Sequence, residues 1–198
     1  MCEKSWEQTL HLSKLDAAER QFKLAVQLFF QRADPVGTYA LACASVQILS
    51  DLLSAAGAGG LSRNPHLIPE GRFNEWRNAI KRPENFLKHA ERDPGAMLEF
   101  NTGVIPVTLL ECALLLEIVA QRVMVETRMF TIWMMHAYPE MFRLEPEQHA
   151  ALQHLDKNNF EEWLAALDDR TGEIGKLMES WKPRPMPKTP YDIRLGTP

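Results

Sequence analysis

VGTYALACASVQILSDLLSAA, residues 36–56, is the stretch on which the fold turns. It is apolar on most faces and rich in small residues. Ala40, Ala42, Cys43, Ala44 and Ser45 allow neighbouring helices to approach closely. The preceding Asp34-Pro35 pairs a capping side chain with a proline at the first helical position, a strong start signal. Gly57-Ala-Gly-Gly60 supplies the stop. A helix apolar all round belongs in the centre of a helical protein.

Outward from it, Ser13 with Asp16 three residues on reads as a capping box opening a helix that runs to about Arg32. Leu15, Ala18, Phe22, Ala25, Val26, Phe29 and Ala33 recur on one face of it. A third helix begins near Pro69 or Glu70, with Phe73, Trp76 and Ile80 inward. Pro83 interrupts it, so Arg82 marks a break and Glu84 to Arg92 form a fourth. Asp93-Pro94-Gly95 is a turn, followed by the apolar lead-in Met97 to Phe100.

From Pro106 to Ala137 the pattern stays helical. About 30 residues span roughly 45 Å. Such a helix either breaks or projects beyond the body to meet another molecule. Its apolar and methionine-rich surface, with Met124, Met129, Phe130, Trp133, Met134 and Met135, serves as core or as a homodimer seam. The apolar run Val104 to Ala120 is short for a membrane span and carries Glu111 and Glu117, which favours a buried helix. After Pro139, short helices are expected at Glu147 to Leu155 and Phe160 to Leu167. From Trp181 the tail has five prolines in 18 residues, which favours extended backbone. The fold class is therefore all-α. It is expected as an up-and-down antiparallel helical bundle over 1–138, a C-terminal helical extension over 139–180 packing on it, and a proline-rich tail over 181–198.

The chain of 198 residues can bury a core without staples. A net charge of −4 gives no global attraction to nucleic acid, so such binding needs a local basic patch. Cys2, Cys43 and Cys112 imply neither a disulfide framework nor a metal knuckle. With no apolar leader and no clear span, the expectation is a cytoplasmic protein, off the membrane. No metal and no cofactor is expected. No Glu-x-x-His occurs, and His89-Ala-Glu91 lacks the Pro-Cys-x-x-Cys of zinc deaminases. No Gly-x-Ser-x-Gly elbow is present, and Gly57 to Gly60 lacks the Lys-Ser/Thr of a phosphate loop.

Chemistry concentrates in NAIKRPENFLKHAER, Asn78 to Arg92. On a helix, Asn78, Arg82, Asn85 and His89 fall at i, i+4, i+7 and i+11 and share one stripe. Such a stripe can grip phosphate, do acid–base work, or simply be a wet face. Arg72, Arg77, Lys81, Lys88 and Arg92 add cations, interleaved with Glu70, Glu75, Glu84 and Glu91. A histidine can take a proton from a 2′-hydroxyl near neutral pH, and an arginine fork can hold a developing phosphorane charge.

The Arg82…His89 element, with six residues between, resembles the signature of the HEPN superfamily (higher-eukaryote and prokaryote nucleotide-binding domains). The resemblance covers about residues 13 to 125. Pro83 stands where that family usually has a polar residue directly after the arginine. The resemblance implies an all-helical homodimer that binds nucleotide or RNA, with Arg82 and His89 as the working pair of a metal-independent ribonuclease or its degenerate relative. Asn78, Asn85, Lys88 and Arg92 would hold the phosphate or nucleotide. Two other readings compete. One is a non-enzymatic interaction module that dimerises or binds protein through the long apolar helix and tail. The other is a bundle binding a small molecule through Trp133 and the methionines.

Overall fold

The computed structural model describes residues 9–57 and 73–142, apart from the side chains of Phe73, Trp76, Arg77 and Glu140. The chain forms an all-α, up-and-down bundle. Its helices are α1 (Lys14–Phe30), α2 (Pro35–Ala55), α3 (Phe73–Lys88), α4 (Val104–Ala120) and α5 (Val125–Ala137), followed by a 3-10 turn at Pro139–Met141. The expected helices and tail after residue 142 lie outside the described residues.

α1 starts where its capping box sits. The Asp16 amide donates to Ser13 Oγ at 3.0 Å, and the Ser13 amide donates to the Asp16 carboxylate at 2.9 Å. The Ser13 hydroxyl and amide hold the Asp16 carboxyl below the usual carboxylate range. Ala18, Phe22, Ala25 and Val26 form its buried face, while Ala33 is exposed. α2 starts at its Asp34 cap, with the Gly37 amide donating to Asp34 Oδ1 at 2.6 Å. Its chain exits through Gly57, whose φ of +82° suits glycine.

α2 has the length and hydropathy of a membrane span. In the bundle it lies against α1, α4 and α3. Its small residues set the spacing. The Ser45 hydroxyl donates to the Ala18 carbonyl of α1 at 2.8 Å and accepts from the Cys112 thiol of α4 at 2.9 Å. Three helices thus meet at one fully buried serine. Burial pushes the thiols of Cys43 and Cys112 up to about 12, so both behave as small core groups, not nucleophiles.

The long helix resolves into the broken alternative. Gln121 takes a left-handed conformation (φ +53°), and its side chain donates back to the Ile118 carbonyl. The chain reverses, and Thr127 Oγ1 donates to Glu117 at 2.9 Å, tying the start of α5 to the end of α4. α5 then buries Met129, Phe130, Ile132 and Met134 in the same core. Trp133 lies edge-on to Phe29 at 5.1 Å between ring centres, so that part of the aromatic and methionine stripe packs inside one protomer.

The expected break at Pro83 does not occur. α3 runs unbroken through a buried Pro83 to Lys88, and no separate helix spans Glu84 to Arg92. An internal proline removes one backbone donor and crowds the carbonyl four residues back. Two tertiary and local features hold the helix there. The buried Tyr39 phenol donates to the Ile80 carbonyl at 2.7 Å. The Glu84 carboxylate, on the same inner side, accepts from Lys81 at 2.6 Å and Lys88 at 2.7 Å. Ile80 is buried beside them, as its spacing predicts.

Candidate functional site

α3 presents one side to the core and the other to a cleft. The inner side carries Ile80, Pro83 and Glu84. The outer side carries Asn78, Arg82 and Asn85, the first three members of the polar stripe. The helix ends at Lys88, and the chain turns back over its own exposed face. The His89 amide still donates to the Asn85 carbonyl at 3.0 Å. The Arg92 amide donates to the His89 carbonyl at 3.2 Å, and the Ala96 amide to the Asp93 carbonyl at 2.9 Å. These tight turns, at the Asp93-Pro94-Gly95 signal, bring residues 89–98 beside the helix.

The result is an open cleft of about 530 Å³, within the size range of small-molecule sites. Its polar wall is Asn78, Arg82, Asn85, His89 and Arg92. Lys81 and Asp93 complete the charged lining, and Phe86, Met97 and Leu98 supply apolar surface. Two guanidinium groups, Arg82 and Arg92, face one carboxylate, Asp93, while the Lys81 ammonium is held by Glu84. Helical periodicity predicts His89 on the stripe. His89 lies there, one residue past the helix end, with its amide keeping the helical bond to Asn85.

Lys88 is elsewhere. It stands four residues after Glu84, on the inner side of α3, and its ammonium is spent on that carboxylate. It does not line the cleft. Burial alone would raise the Glu84 carboxyl, but the hydrogen bonds and charges of Lys81 and Lys88 together outweigh it and hold it below the usual carboxylate range.

Glu91 does not line the cleft but contacts two residues that do. Its carboxylate lies 3.3 Å from His89 Nδ1 and 3.9 Å from Arg92 Nε. Its own backbone amide and the His89 ring hold it below the usual carboxylate range. A histidine donating from Nδ1 to a carboxylate keeps its lone pair on Nε2, the form that accepts a proton. Arg82 is exposed and has neither a hydrogen bond nor an ion pair among the described residues. An unpaired guanidinium fork beside two amides and a second arginine can bind a planar or tetrahedral oxyanion in two places at once.

Glu111 is buried in the apolar helix, and Glu117 meets Thr127 and lies 4.0 Å from Arg128, which accounts for its place in α4. Among the described residues no three His, Cys, Asp or Glu side chains converge as a metal site. No protein-family model, no curated protein and no solved structure matches the chain.

Proposed function

We propose that the α3 cleft binds the phosphate of a nucleotide or of single-stranded RNA. One observation carries this reading: Asn78, Arg82, Asn85, His89 and Arg92 meet in a single open cleft with apolar surface beside them. Arg82 and Arg92 would clamp phosphate oxygens. Phe86 and Met97 would lie against a base, and Asn78 and Asn85 would meet its edge or the sugar. His89, oriented by Glu91, is the general base if the bound RNA is cleaved, and Arg82 the cation for the developing charge. The likeness of Arg82…His89 to the HEPN signature supports the same assignment, in a cytoplasmic setting and without metal.

Anisotropy of a labelled single-stranded RNA, followed by a cleavage gel, tests this with EDTA present throughout. Arg82→Ala should weaken binding about tenfold, since a hydrogen-bonded charge pair with phosphate is lost. Cleavage that vanishes in folded His89→Ala would establish the ribonuclease. Binding without cleavage would establish a binding protein. Equal affinity in wild type and Arg82→Ala would refute the assignment.

A second reading has its own observation. Leu114 is 39% exposed in the middle of the most apolar helix, flanked one turn away on each side by half-buried Leu110 and Ile118. We propose a homodimer that covers this stripe of α4. Light scattering on the full chain should give a dimer, and Leu114→Glu should give a monomer. A monomeric wild type would refute it.

A further inference from the structure

Lys81 occupies two places at once. Its ammonium is on Glu84 Oε2 at 2.6 Å, while its side chain lines the outer cleft. It also borders a small inner cavity with Cys43, Ser50, Thr108 and two carboxylates, Glu84 and Glu111. Glu84 does not depend on it alone, because Lys88 holds the other oxygen, Oε1, at 2.7 Å. Two ammonium groups and one carboxylate leave the trio with one surplus positive charge.

That surplus can move. The Lys81 side chain is 35% exposed, so turning its ammonium outward takes little from a buried environment. Glu84, only 7% exposed, would be costly to leave unpaired, and Lys88 prevents that. On the reading above, Arg82 and Arg92 clamp one phosphate group. A second phosphate next to it would meet the stem of Lys81 and nothing else cationic among the described residues lining the cleft.

We propose that Lys81 is a releasable cation that selects a nucleoside diphosphate over a monophosphate: the second phosphate draws its ammonium off Glu84, and Lys88 keeps Glu84 neutralised. The inference rests on the reading of the cleft as a phosphate site. It gives Lys88 a part in binding without contact, through what it frees Lys81 to do.

Calorimetric titration of the full chain with ADP and with AMP, in EDTA, tests it. Wild type should bind ADP about tenfold more tightly than AMP, the worth of one further charge-assisted hydrogen bond. Lys81→Met should bring the ratio to about one. Lys88→Met should lower the ratio too, because Lys81 is then the sole partner of Glu84 and is retained there. Adding Glu84→Gln to Lys88→Met should restore the ratio, since the carboxylate bonded to Lys81 is then gone. The far-ultraviolet dichroism of each variant shows that it is folded. A Lys81→Met or a Lys88→Met protein with the wild-type ratio would overturn the proposal. So would a wild type that binds both nucleotides equally while Arg82→Ala loses both, an outcome that leaves the phosphate site itself standing. A wild type that binds neither nucleotide nor RNA would remove the site and this selection together.

Discussion

The Tyr39 phenol donates to the Ile80 carbonyl at 2.7 Å, joining the centre of the bundle to the turn of α3 that carries Pro83. Burial raises the phenol well above its ordinary value, which favours the protonated, donating form. Tyr39→Phe should cost about 1–3 kcal/mol by leaving the carbonyl without this donor. Hydrogen exchange should quicken in residues 80–88 before it does in α2 or α4. Uniform loss of protection in all helices would show that the bond holds the core and not α3 in particular.

Glu84 makes stability depend on acid. Its folded pKa is depressed below the ordinary value of 4.5. Its contribution is therefore present above about 4.5 and is lost as pH falls through the lower folded value. Glu84→Gln should flatten that part of the curve of denaturation midpoint against pH. An unchanged acid limb in the variant would mean that other carboxylates carry it.

Ser45 tests how closely the three central helices pack. Ser45→Leu would force extra volume between α1, α2 and α4 at a fully buried point. Destabilisation of at least about 1–3 kcal/mol is expected from overpacking. Ser45→Ala should cost about 1 kcal/mol, for the loss of its bond to Ala18. A leucine variant as stable as the alanine one would disprove the close approach.

Gly57 tests the exit from α2. Gly57→Ala should lower stability by about 1–2 kcal/mol because of its positive φ alone, since no atom lies near the added methyl. A melting temperature equal to wild type would show that the exit relaxes into another conformation.

Much of this architecture was legible in local chemistry. The Ser13–Asp16 box and the Asp34-Pro35 start act within a few residues, so sequence alone locates them. The small residues of α2 implied the close approach that Ser45 makes with Ala18 and Cys112. The polar stripe named four residues that do share a cleft, and Arg92, expected beside them for its charge, joins them. Four features were not legible in this way. Pro83 stays helical, with a tyrosine 44 positions earlier in sequence (39 against 83) anchoring the Ile80 carbonyl in the turn before it. The long helix breaks at Gln121, a residue with no turn signature, where Glu117 and Thr127 fasten the corner. Lys88 has the charge of a phosphate ligand, but its four-residue spacing from Glu84 puts its ammonium on that carboxylate and off the cleft. Glu91 acts through a turn whose course no periodicity describes.

The most direct test of the cleft is an amide shift map of the labelled protein titrated with AMP in EDTA. The account predicts shifts confined to residues 78–98, with the largest at Arg82, Asn85, His89 and Arg92, and their disappearance in Arg82→Ala. Shifts centred on α4 and α5, or none at all at millimolar nucleotide, would contradict it.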